Sequence, residues 1–265
     1  MITFFSIPKP FRNHIGIIQD NAIRSWLQVP RPEIILFGDE EGVEGTAARY
    51  QIRYEPEVEK NEYGTPLLDS IFKRAAKLAT NDILCYINSD IVLLTDMELI
   101  FKKIKLDNFL VIGQRWDLNM EETLNVASTT WREDFRCQAM SKGVLHPRVG
   151  SDYFAYKRNT IGDMPPFVVG RPGWDNWLIH HARASKIPVI DGSDAITVVH
   201  QNHDYSHVPQ RQGMSYYGPE ALKNLEYVNK GNTYILDDAD WEFVSGMPQK
   251  KSMFRRLRRS IARRL

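Results

Sequence analysis

The sequence predicts an α/β protein, with a mostly parallel central sheet flanked by helices and a basic helix at its C-terminal end. Two observations lead there. The first half alternates β-type runs with stretches of helical period, the pattern of parallel strands joined by right-handed crossovers. In addition, Ile83-Leu84-Cys85-Tyr86-Ile87 is a continuous apolar run that stops at Asn88-Ser89-Asp90 and turns apolar again at Ile91, as a central strand buried on both faces does. A chain of 265 residues can bury a large core.

The elements follow in order. Ile2 to Ile7 is the first strand and ends in the turn Pro8-Lys9-Pro10. His14 to Gln28 is helical in period, with Ile15, Ile18, Ala22, Ile23 and Trp26 on one stripe and Asn13 as its N-cap. Pro30 and Pro32 end it. Glu33 to Phe37 is the second strand and runs into Gly38-Asp39; Gln51 to Tyr54 is the third. Thr65-Pro66 opens a helix from Leu67 to Ala79, with Leu68, Ile71, Phe72 and Ala75 inward and proline at the first helical position. Ile83 to Ile87 is the fourth strand. Further on, Phe109 to Gly113 is a strand ending in Gln114-Arg115-Trp116-Asp117, and Met120 to Gly143 is mixed and partly helical. Ser151 to Lys157 is a strand, Trp177 to Ala184 a helix, and Pro188 to Asp191 and Ala195 to Val199 are short strands, the latter ending at His200.

Charge is unevenly spread. Eight lysines and arginines and no acid lie between Gln249 and Leu265, so a chain of net charge +1 leaves a body at −7. A mildly acidic body does not suit nucleic acid. In the tail, Met253, Leu257 and Ile261 fall at helical spacing among arginines, which suits an anionic membrane surface; a solvated basic end is the alternative. Cys85 and Cys137 form no pairing motif, which points to a reducing compartment. Met1 to Pro8 reads as a strand and not as a secretory signal, and no apolar run approaches the roughly 20 residues of a spanning helix. The expected location is cytoplasmic, at the inner face of the membrane if the tail binds there.

Four polar groups fall at strand ends or helix starts, where a parallel sheet gathers ligands. Asp90, between apolar runs, is costly unless a cation or hydrogen bonds satisfy it, and a divalent metal carrying a diphosphate is one natural partner; a turn or helix cap is the other reading. Asp39 ends the second strand. Asp175, in Gly173-Trp174-Asp175-Asn176-Trp177, is either a first-turn acid or a general base beside an aromatic wall, since apolar surroundings raise a carboxyl toward a useful value. In His200-Gln201-Asn202-His203-Asp204-Tyr205-Ser206-His207, His200 completes a metal site with Asp90, or the histidines are hydrogen-bonded in a loop, or His200, His203 and His207 hold zinc with Asp204. No P-loop, dinucleotide-binding glycine turn, serine elbow or His-Glu-x-x-His helix is present.

At this point the residues resemble a family. A first strand with a polar turn, a second strand ending in Asp39, a helix, and then Tyr86-Ile87-Asn88-Ser89-Asp90-Ile91 are similar to GT-A glycosyltransferases of the family 2 type. The resemblance covers roughly residues 1 to 210. It implies one catalytic domain over 1–248, with a nucleotide-sugar half to about 115 and an acceptor half from about 116, followed by a tail over 249–265. The family's Asp-x-Asp motif holds Mn2+ or Mg2+ against the diphosphate; here Asn88 replaces its first aspartate and leaves Asp90 as the metal ligand, with His200 resembling the C-terminal histidine of such sites. The Gly-Trp-Asp-Asn-Trp segment resembles that of inverting members and makes Asp175 the base. For the nucleotide sugar the resemblance implies Ser6, Pro8, Asn88 and Ser89, with Asp39 and Asp69 on ribose or base and Lys73 or Arg74 on phosphate; for the acceptor it implies Asp152, Trp174, Asn176 and Trp177. Asp69, Lys73 and Arg74 also read as a solvated, ion-paired helix face. The implied activity is metal-assisted transfer of a sugar from a nucleoside-diphosphate sugar to a saccharide or lipid-linked acceptor, inverting; a retaining transferase and a catalytically inactive carbohydrate- or nucleotide-binding protein are the alternatives.

Overall fold

A computed structural model describes residues 1–203, 218–228 and 233–252. In chain order the elements are β1 (Ile2–Ser6), α1 (Asn13–Trp26), β2 (Glu33–Phe37), α2 (Val43–Tyr50), β3 (Arg53–Glu55), α3 (Leu68–Leu78), β4 (Ile83–Ile87), β5 (Ile91–Leu93), α4 (Met97–Phe101), β6 (Leu110–Ile112), β7 (Trp116–Leu118), α5 (Trp131–Lys142), β8 (Val144–Leu145), β9 (Tyr153–Lys157), α6 (Trp174–Ala184), β10 (Val189–Asp191), β11 (Val198–Gln201), α7 (Pro219–Tyr227), β12 (Trp241–Val244) and β13 (Met247–Lys250).

Nine strands form the main sheet among the described residues, in the order β13-β12-β10-β6-β9-β4-β1-β2-β3. All run the same way except β9, antiparallel to both β4 and β6, and β13, antiparallel to β12. Its central strands are buried on both faces, and alternation along each sorts its side chains into two cores. Phe5, paired with Ile35 and Tyr86, faces one core together with Phe154, Leu110 and Val189, under α3 and α6. Phe4, paired with Ile34 and Cys85, faces the other with Ala155, Val111 and Ile190, under α1 and α4.

A second sheet, β5-β11-β7-β8, sits beside the first and packs on α5 through Val92, Leu118, Trp131, Phe135 and Val199. Its pairing fixes the site. β11 runs antiparallel to β5 and parallel to β7, so that His200 is in register with Ile91 on one side and Asp117 on the other. Asp90 lies in the turn where the chain leaves the large sheet for the small one.

Several expectations shift. Asn13 does not cap α1: it is the first helical residue, itself in the left-handed region (φ 47°), and Arg12 stands at the cap position with no side-chain cap bond. Pro66 is not in the first turn of α3. It bridges to Lys60 and accepts from the Val169 N–H at 3.1 Å, so the helix begins at Leu68. The third strand starts at Arg53 because α2, which the sequence did not suggest, occupies the preceding residues and closes at Gln51 in the left-handed region (φ 55°). α6 begins three residues earlier than expected, at Trp174. Both cysteines are free thiols, Cys85 buried and Cys137 exposed. Among the described residues no helix is long and apolar enough to cross a membrane. Gln249 and Lys250 lie in β13, and the tail from Met253 lies outside the described residues.

Candidate active site

A cavity of about 370 Å³ opens between the two sheets and the start of α6, lined among others by Lys9, Asn88, Ser89, Asp90, Arg115, His146, Asp152, Asp175, His200 and His203. At one wall Asp90 meets two imidazoles. His203 Nε2 is 3.1 Å and His200 Nε2 3.9 Å from Asp90 Oδ2, and Lys9 Nζ is 3.1 Å from His203 Nε2. Burial works to raise the Asp90 carboxyl, but the charge of His200, the hydrogen bond with His203 and the charge of Lys9 outweigh it and hold it well below the usual carboxylate range. His200 moves the opposite way: burial works to lower it, and Asp90 and Asp117 bring it above its ordinary value.

This wall fits a divalent cation. One ligand atom from each of Asp90, His200 and His203 can be chosen so that all three lie within 4.8 Å of one another. Asp90 Oδ1 is buried and has no hydrogen-bond partner among the described residues, which is costly for an ionised group unless a cation is its ligand. A carboxylate with two imidazoles suits Mn2+ better than Mg2+, which prefers oxygen ligands.

Behind the histidines lies a second layer of charge. His200 Nδ1 is 3.3 Å from Asp117 Oδ1, whose other oxygen is 2.7 Å from His146 Nδ1. Arg115 donates from Nε to Asp117 at 2.8 Å and from Nη1 to Asp152. Burial works to lower Arg115, and the two aspartates bring it above its ordinary value. Asp152 in turn accepts from Asn88 Nδ2 at 2.7 Å, and the Asn88 N–H donates to the Asp152 carbonyl at 2.9 Å. Asn88 is therefore an amide for a reason. An aspartate there would set two carboxylates against each other at that separation.

At the other end of the cavity, Gly173 caps α6 in the left-handed region (φ 101°) and puts Asp175 in the first helical turn. Burial pushes the Asp175 carboxyl up to about 6, opposed by backbone N–H groups of Asn176, Asp175 and Ser151 and assisted by the charge of Asp152. Its Oδ2 packs so close to Gly150 that a Cβ there would stand 3.2 Å away. The cavity thus holds one carboxylate kept ionised and one carboxyl poised near neutrality, an arrangement that divides ligand and base roles between like groups.

No protein-family model matches the chain, and no curated protein matches it in sequence. Among solved structures it is similar to residues 1–349 of S. aureus TarS in complex with UDP-GlcNAc, at 12% identity, covering 88% of this chain and 65% of that one, with a TM-score of 0.50. That likeness decides the architecture. The chain has the GT-A fold. It is also similar to glucosyl-3-phosphoglycerate synthase from Mycobacterium tuberculosis in complex with Mn2+, UDP and phosphoglyceric acid (14% identity, 88% of this chain, 79% of that one, TM-score 0.48). A third is mannosyltransferase PcManGT from Pyrobaculum calidifontis in complex with GDP-Man and Mn2+ (14% identity, 80% of this chain, TM-score 0.47), of whose length the chain covers 58%.

The GT-A core brings Asn88, Ser89, Asp90, Asp152, Trp174, Asp175, Asn176 and His200 to one cavity. It does not bring Asp39, Asp69 and Lys73 there. Asp39 and Lys73 line a separate hollow of about 700 Å³. Asp39 pairs with Lys60 at 2.5 Å, and Lys73 with Asp69 at 3.3 Å. Arg74, in the same hollow, pairs with Glu55 at 2.5 Å. Ser6 is buried and donates to the Ile87 carbonyl at 2.6 Å, bracing β1 to β4, and Pro8 precedes Lys9 at the cavity edge. Trp174 is largely core, edge-on to Tyr86 with ring centroids 5.2 Å apart, and Trp177 stacks on His181 at 4.6 Å. Asn176 braces the Val149 and Tyr234 carbonyls, each at 2.9 Å. Asp204 and His207 lie outside the described residues. Residues that sequence reasoning missed are Lys9, Arg115, Asp117 and His146, together with the short approach of His203 to Asp90. The polar end Gln114-Arg115-Trp116-Asp117 was a visible signal for two of them; for His146 there was none.

Proposed function

We propose that this chain is a glycosyltransferase that moves a sugar from a nucleoside-diphosphate sugar to a saccharide or glycolipid acceptor, assisted by a divalent cation, Mn2+ or Mg2+, and inverting the anomeric centre. The reading is carried by the presence in one cavity of the ionised, histidine-flanked Asp90 and the near-neutral Asp175. The TarS structure of the same fold holds UDP-GlcNAc, which supports a nucleotide sugar as donor.

Asp90, His200 and His203 hold the cation. When bound, it supplies Lewis-acid stabilisation of the negative charge that grows on the departing diphosphate. Asp175 takes the proton of the acceptor hydroxyl; the hydroxyl oxygen bonds to the anomeric carbon as the carbon–oxygen bond to the diphosphate breaks. One displacement with a base on the side away from the leaving group gives inversion. Arg115 and Asn88 hold Asp152 in place, and its charge helps keep Asp175 basic enough to accept the proton.

The test is a panel of UDP-, GDP- and dTDP-sugars with Mn2+, read by titration calorimetry and by proton NMR of the product. Metal-dependent nucleotide binding with an inverted product supports the reading; no binding of any nucleotide in the presence of Mn2+ removes it, and a retained anomeric configuration removes the assigned role of Asp175. The basic sequence after Gln249 supports an acceptor presented at an anionic membrane surface. Cosedimentation with anionic vesicles should fall when residues 253–265 are deleted, and unchanged partitioning excludes that part.

A further inference from the structure

Lys9 is held in the cavity by more than its own side chain. Prolines on both sides restrict its backbone. Gln19, buried in α1, takes both polar groups of its main chain: the Lys9 N–H donates to Gln19 Oε1 at 2.7 Å, and Gln19 Nε2 donates to the Lys9 carbonyl at 2.9 Å. The same Oε1 accepts from Ser89 Oγ at 2.9 Å, which ties Lys9 to the residue beside Asp90. The ammonium so placed reaches His203 Nε2 at 3.1 Å.

That nitrogen is also 3.1 Å from Asp90 Oδ2. A ring nitrogen carries one proton or one lone pair and not both. His203 Nε2 can therefore donate to Asp90, accept from Lys9 or bind a metal, one at a time. A dication held by Asp90 and the two histidines takes that lone pair and repels the ammonium. Lys9 lines the cavity beside these ligands, and the oxygens of a diphosphate next to the metal are acceptors that a compact charge with three donors suits.

We propose that Lys9 is a built-in cation of the site, which competes with the metal for His203 while the site is empty of anion and binds the diphosphate once it arrives. This rests on the reading that the cavity takes a nucleoside diphosphate. It makes two affinities move in opposite directions, which general damage to the fold does not do.

The test uses the full chain, Mn2+ alone followed by electron paramagnetic resonance, and inorganic pyrophosphate followed by calorimetry in Mn2+ and in EDTA. Lys9→Met should bind Mn2+ severalfold more tightly without pyrophosphate and bind pyrophosphate about tenfold or more weakly in both media, the loss of a charge-assisted contact. Lys9→Arg should restore pyrophosphate binding to within severalfold of wild type. Equal pyrophosphate affinity in wild type and Lys9→Met overturns the role of Lys9 and leaves the functional reading standing; so does a joint loss of both affinities. If the wild-type chain binds no pyrophosphate even with Mn2+, both fall together.

Discussion

The cavity around Asp90 and the hollow around Asp39 both lie where strands of the main sheet end, yet they treat charge differently. The hollow is the larger, about 700 Å³ against 370 Å³. Its charges are at the surface. Asp39 is 58% exposed, and its hydrogen bond to Lys60 holds it below its ordinary value. Lys73 and Arg74 are likewise matched by neighbouring acids. In the smaller cavity the charged groups are buried or half-buried and lie against one another from Asp90 through His200 and Asp117 to Arg115 and Asp152. Volume alone does not single out the cavity around Asp90. Desolvated charge, with one carboxyl forced down and another forced up, says more.

Four substitutions can break or sharpen this contrast. Asp90→Ala should have the largest effect, taking Mn2+ binding below detection by calorimetry and abolishing turnover; wild-type-like activity would remove the metal site. Asp175→Asn should slow transfer by about 10²- to 10⁴-fold while donor affinity stays within severalfold. Because Asp175 must be ionised to act, wild-type kcat/KM should rise with pH through about 6, and a profile flat across that value would dismiss it as the base. The same raised carboxyl acts on stability in the opposite sense. The fold prefers the neutral form, so its contribution is present below the ordinary carboxylate value and is lost as pH rises through about 6. Urea denaturation of Asp175→Asn should lack that loss.

Asn88→Asp should destabilise by about 1–3 kcal/mol at neutral pH, since Asp152 loses a donor and gains a facing carboxylate. An unchanged midpoint would mean that the pair relaxes apart. Smallest of all, Asp39→Ala should cost less than about 1 kcal/mol, as exposed ion pairs do, and leave Mn2+ binding untouched. Loss of nucleotide binding in this variant would join the two cavities into one donor site.

The contrast also marks what could be read from the chain. Asp90 was visible because a long apolar run stops at it, and Asp175 because glycine, two tryptophans and an acid crowd together. The centre of the main sheet was legible for a similar reason: β1, β2 and β4 are runs of five mostly apolar residues. The small sheet was not. β5, β7 and β8 have two or three residues each, too few for a period of two to show, and without them nothing links Arg115, Asp117 and His146 to Asp90. Asn88 looked like a missing acid in sequence, and only the pairing of β4 with β9 supplies Asp152 beside it. The tryptophans, read as a wall for sugar, mostly serve the core, because α6 starts at Trp174 and turns them inward.

The register of β11 between β5 and β7 has a consequence for synthesis. Asp90 emerges from the ribosome more than a hundred residues before His200 and His203, so a nascent chain carries a lone acid with nothing to share an ion with. Contacts of such separation close late. With Asp90, His200 and His203 as the proposed cation ligands, the two halves of the chain must dock before the ion can bind, and a translation product stopped short of β11 should not bind Mn2+ at this site.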